Sequence, residues 1–136
     1  MRKDKIAMVV GAAAALVLAA TAFAGKPTSD LKLVVLSSGS APTALTAEPS
    51  YGGQITFDVR TTQTDHPSVN VRCDQDGAWV YDGWESFWAG YVPQPVFTLS
   101  SGYWTGGAAD CTARLVYFDR QGRERTLTTL DFHVAA

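Results

Sequence analysis

The 136-residue sequence predicts an all-β antiparallel sandwich of about seven strands, with one disulfide. Beyond residue 24, apolar and polar residues alternate with a period of two, turn-forming residues interrupt the alternation at short intervals, and no stretch sustains the 3.6-residue period of a helix.

The first strand is expected at about 31–37, where "LKLVVLSS" is apolar on both faces from Leu33 to Leu36 and is expected to be covered on both sides. The small, polar "SGSAPTALTAEPS" that follows reads as a long surface connection. At about 53–62, "GGQITFDVRTT" sends Ile55, Phe57 and Val59 one way and Gln54, Thr56, Asp58 and Arg60 the other, the pattern of a half-buried strand. Val69, Val71 and Cys73 repeat it at 69–75. Asp76-Gly77 then offers the positive φ angles of a tight hairpin before "AWVYD" returns at 78–82. Further strands are expected at 95–100, at 110–118 with Cys111, Ala113, Leu115 and Tyr117 on one face, and, after the "DRQG" turn, at 124–134. In the last of these Leu127 is out of phase with Leu130, Phe132 and Val134, which predicts a bulge between them.

Arg2, Lys3 and Lys5 precede the apolar run "IAMVVGAAAALVLAATAFA", which ends in the small-x-small site Ala22-Phe23-Ala24. This is the pattern of a secretory signal peptide spanning 1–24, cleaved after Ala24 or Ala22, with an uncleaved membrane anchor as the alternative. The expected product is a secreted single domain, 25–136, acting outside the cell as a monomer. Removing three cations and one anion takes the net charge from −2 to −4, and a mildly acidic chain without a basic cluster is a poor nucleic-acid binder. Arg120, Arg123 and Arg125 gather at one hairpin, where charge protects a sheet edge.

Cys73 and Cys111 both lie in the mature part, and in an exported chain two cysteines most simply pair. No histidine neighbours either of them, so a metal site is not expected. The stretch "YDGWESFWAGY", 81–91, lies within a segment, 79–104, that holds nine of the fifteen aromatic residues. It is expected to form an irregular crossover between the sheets. Most of its rings should lie in the core of so small a domain, with at least one of Trp84, Trp88 and Tyr91 exposed.

"YGGQITFDV" resembles the second strand of bacterial immunoglobulin-like domains, and "GGAADCTARLVYFDRQGRERTL" resembles their sixth and seventh strands with the hairpin between them. The likeness spans roughly residues 31–134 and implies an immunoglobulin-like β-sandwich. In antibody-type domains the disulfide joins strands two and six across the sheets, whereas here the second strand has Phe57 and Val59, and Cys73 falls on the third. Strands three and six are neighbours in that topology, so the resemblance implies a disulfide within one sheet. Ala109 stands where the family's tyrosine corner would place its tyrosine.

No catalytic set emerges. His66 precedes Pro67 in a turn, His133 lies on the polar phase of the last strand, no serine sits in G-x-S-x-G, and Asp58, Asp74, Asp82 and Asp131 read as the polar phases of strands. "DQDG" lacks the downstream ligands of a calcium loop. The sequence therefore predicts a non-catalytic module without cofactor that contacts an extracellular protein. The alternative is a cell-wall glycan ligand, with Trp84, Trp88 and Tyr91 as stacking rings and Asp82 and Glu85 as hydrogen-bonding neighbours.

Overall fold

The computed structural model describes residues 26–36, 42–43, 48–90 and 93–136, the backbone alone at 42–43. The expected signal peptide, most of the connection after the first strand, and Tyr91 lie outside these residues. The described part contains β1 (Ser29–Leu36), β2 (Pro42–Thr43), β3 (Gln54–Thr61), β4 (Ser68–Gln75), β5 (Ala78–Ser86), β6 (Phe97–Thr98), β7 (Ala109–Phe118) and β8 (Glu124–Val134), and no helix. They form two antiparallel sheets, ordered β2-β1-β3-β6 and β5-β4-β7-β8. Apart from the short β2, this is the expected antiparallel β-sandwich of seven strands over two sheets.

The core lies between the sheets, where the inward phases of the alternation meet. Ile55 and Phe57 of β3 face Val69, Val71 and Cys73 of β4 and Cys111, Ala113 and Leu115 of β7, all in one buried cluster. Phe57 is its hub, meeting Phe97, Phe87 and Phe132 edge-on at ring-centroid distances of 5.7, 6.4 and 6.4 Å. Trp104 is also buried, and its Nε1 donates to the Gly107 carbonyl at 3.1 Å, so the one polar atom of the indole has a partner. Thr56 is on the polar phase yet buried, because its hydroxyl donates to the Pro95 carbonyl at 2.6 Å. Leu33 to Leu36 of β1 are each half-buried, so neither face of that strand is open and neither is sealed.

Cys73 and Cys111 are directly opposite in the β4–β7 register and form the disulfide, with Cα atoms 4.0 Å apart. The bond therefore lies within one sheet, buried on its core face. The β4–β5 hairpin turns on Asp76 and Gly77 at φ 50° and 82°, as their sequence predicts. In β8 the pairing passes from Leu115–Thr128 to Val116–Thr126, so Leu127 itself is the extra residue of the expected bulge, half-buried against the core.

Two strands differ in extent from the sequence reading. β6 is only two residues long. β5 continues to Ser86, so the first half of "YDGWESFWAGY" is regular strand and the crossover begins at Phe87. A Cβ on Gly83 would sit 2.7 Å from the Tyr81 hydroxyl oxygen, which is why glycine stands two residues along from that ring.

Near the end of β8, His133 Nδ1 lies 2.8 Å from Asp110 Oδ1 of β7, and its Nε2 lies 3.9 Å from Glu48 Oε1. The hydrogen bond to Asp110 is the main cause of a pKa raised above the usual 6.5; partial desolvation opposes it, and the charges of Asp110 and Glu48 add to it. A folded-state value above the unfolded one stabilises the fold fully below the unfolded pKa, and this contribution is lost as pH rises through the folded value. The denaturation midpoint of the wild type is therefore expected to fall more steeply between about pH 6 and pH 8 than that of His133→Gln. Parallel midpoint curves for the two proteins would remove the contact from the account.

Candidate functional site

The side of the molecule built by β5 carries the aromatic rings that the core does not take. Trp79, Trp84 and Trp88 are 64, 43 and 49 % exposed, whereas Phe87 is buried and Tyr81 half-buried. The expectation that most rings of the stretch lie inside is thus not met among the described residues, where only Phe87 is buried, whereas the expectation that at least one of Trp84, Trp88 and Tyr91 is exposed is met by both tryptophans. Tyr81 packs against the core from the inner face of β5, and its hydroxyl pKa is raised by burial first and then by the nearby Glu85 and Asp82 carboxylates.

The outward aim of Trp84 follows from a register shift. From the hairpin, Gln75 pairs with Ala78 and Asp74 with Trp79, but Cys73 pairs with Tyr81, leaving Val80 as an extra residue. Without that bulge, Trp84 would stand opposite core-facing Val69. With it, Trp84 stands opposite Asn70, on the outer face.

On that face the indoles are fixed by cross-strand partners. The Arg72 guanidinium lies 4.4 Å from the centre of the Trp79 ring and that of Arg114 lies 5.8 Å from Trp84, both as cation–π pairs. Arg72 Nε is 3.5 Å from Asp82 Oδ2 without a hydrogen bond, so the tie is Coulombic. Arg114 donates to Glu124 Oε1, and to Asn70 Oδ1 at 3.1 Å. The buried Asn70 amide in turn donates to Asp82 Oδ1 at 2.6 Å and to the Gly83 carbonyl at 3.0 Å. Phe118, 54 % exposed, flanks Trp84 with ring centres 6.4 Å apart. Asp82, expected as a ligand contact, takes part in this network while remaining exposed.

Trp88 is held differently. Phe87 N donates to the Pro67 carbonyl at 2.8 Å and Ala89 N to that of Asp65 at 3.3 Å, which pins the turn and brings the Trp88 ring to within 4.0 Å of the His66 ring, centre to centre. Trp84, Glu85 and Trp88 then line one open cleft of about 740 Å³, with Ser68, Ser86 and Pro95 among its other walls. Three of the five expected contact residues therefore converge; Asp82 is in the network with Asn70 and Arg72, and Tyr91 is outside the described residues.

Comparison with family models, curated proteins and solved structures finds no significant match. The chemistry of the β5 side must be read from its own residues.

Sequence reasoning missed Asn70, Arg72 and Arg114 as the framework of the surface. Their signal was present in the polar phases of β4 and β7, but connecting Asn70 and Arg114 to Trp84 requires the Val80 bulge. Among the described residues no group of three or more His, Cys, Asp or Glu side chains is placed to hold a metal ion, and no helix is long and apolar enough to cross a membrane.

Proposed function

We propose that this chain is a secreted, non-catalytic binding module of the bacterial immunoglobulin-like kind, which docks an extracellular protein through the outer face of the β5-β4-β7-β8 sheet. The observation that carries the reading is the set of exposed rings Trp79, Trp84 and Phe118, with Arg72 and Arg114 against the two indoles. Rigid aromatic and arginine side chains on a sheet face are what concentrate binding energy in protein interfaces. The non-catalytic reading is supported by the engagement of the polar groups: Asp82 braces Asn70 and Arg72, Glu124 holds Arg114, and His133 is tied to Asp110. Export is supported by the signal-like N-terminus together with the disulfide.

The test is affinity capture from the extracellular medium with the purified chain, followed by rebinding of the identified protein in pure form. Wild type is expected to bind it saturably. Trp79→Ala combined with Arg72→Ala should weaken binding by about tenfold or more, the effect of losing one interface anchor. Equal binding by the variant would refute this face as the contact. Turnover of an ester, peptide or glycoside that disappears on replacing one polar side chain would refute the non-catalytic reading.

A further inference from the structure

The cleft at the end of β5 is a second surface, distinct in composition from the guanidinium-lined face beside it. Its walls combine the flat indoles of Trp84 and Trp88 and the ring of Pro95 with hydrogen-bonding groups from Ser68, Ser86 and Glu85. A volume of about 740 Å³ falls within the roughly 300–1,000 Å³ typical of small-ligand sites.

The charges narrow the ligand class. Among the described residues of the cleft wall Glu85 is the only charged one, so a phosphate or carboxylate ligand would meet like charge, while Arg114, against the Trp84 ring, is already paired with Glu124. Aromatic rings beside a carboxylate can also take up a cation, but the Trp84 ring is already engaged by the Arg114 guanidinium. A neutral ligand with an apolar face and a rim of hydroxyls meets neither obstacle. Its C–H face can stack on an indole, and its hydroxyls can donate to Glu85 and exchange hydrogen bonds with Ser68 and Ser86.

From this we infer that the Trp84–Trp88 cleft binds a neutral saccharide chain, with the indoles as stacking platforms and Glu85 as the acceptor that orients a hydroxyl pair. The inference rests on reading the β5 side as a contact surface, but of the rings proposed for protein docking the cleft shares only Trp84. Trp88 is the decisive residue, because it lies in the turn after β5, while Trp84 also supports Phe118 and Arg114.

The experiment titrates the full secreted chain with neutral β-1,4-linked hexasaccharides of glucose, mannose and N-acetylglucosamine, and separately with choline, following tryptophan fluorescence and calorimetric heat. At least one hexasaccharide is expected to bind saturably at up to millimolar concentration. Trp88→Ala should weaken it about tenfold or more, Trp88→Phe should retain most of the affinity, and Glu85→Gln should weaken it less than Trp88→Ala. Trp79→Ala, outside the cleft, should leave it unchanged, and thermal unfolding of each variant reports whether the fold persists. Absence of saccharide binding, binding indifferent to Trp88→Ala, or choline binding that Trp88→Ala abolishes would each overturn the inference. A protein partner lost on Trp79→Ala with Arg72→Ala, with no saccharide bound, would overturn it while leaving the binding-module reading intact.

Discussion

Replacing Phe57 with alanine is expected to lower the free energy of unfolding by about 3–5 kcal/mol, the usual cost of emptying a buried aromatic site. The ring is almost wholly buried and touches three other phenylalanines contributed by β6, β8 and the turn after β5. Its removal therefore loosens both sheets at once, and the rigid strands around it leave little room for collapse. A domain of this size holds only about 5–15 kcal/mol in all, so the variant should unfold at a much lower urea concentration. Tyr103→Ala, at a ring 86 % exposed, is the control and should shift stability by about 0.5 kcal/mol or less. Urea denaturation followed by fluorescence checks both; a loss below about 1 kcal/mol at Phe57 would show that the core is not centred there.

Removing the disulfide should have an effect of similar size. In the chain-entropy account, a bond between residues 38 apart stabilises by up to about 4 kcal/mol. The combined Cys73→Ala and Cys111→Ala variant should therefore show a denaturation midpoint well below that of the oxidised wild type. Because both cysteines are buried, reductant alone should leave the bond intact in native buffer and break it once denaturant opens the sheet. Coincident denaturation curves for oxidised and cysteine-free protein would refute this stabilising role.

The parts of the fold that were legible in the sequence are those set by short-range pattern. The alternation of Ile55, Phe57 and Val59 marks a strand because side chains in extended backbone alternate faces whatever the rest of the chain does. Asp76-Gly77 marks a hairpin because few other pairs tolerate two successive positive φ angles. Leu127 betrayed its bulge by falling out of phase with Leu130, Phe132 and Val134 within its own strand, while the pairing with β7 continues on both sides.

Val80 gave no such sign. It is an apolar residue among apolar residues, and the shift it introduces is visible only in what each residue of β5 faces on β4. The exposure of Trp84 depends on that shift, so aromatic density alone pointed toward the core. The cation–π partners were hidden for a related reason. Arg114 is thirty positions from Trp84 in the chain, and only the strand order β5-β4-β7 brings it near. The convergence of Trp84, Glu85 and Trp88 was legible as proximity in sequence, but their common cleft depends on Asp65 and Pro67 holding the turn.

The in-sheet disulfide has a mechanical consequence. Trp79, Trp84, Glu85, Ser86, Trp88 and Pro95 all lie between Cys73 and Cys111, inside the covalent ring. A chain pulled from its two ends can lengthen only through residues outside that ring, while the enclosed interval, on the order of 130 Å when extended, bears no tension. Under such tension the strands that bracket the ring would peel first. The aromatic side of the molecule would remain a closed, unstretched loop even after β1 and β3 had been drawn out.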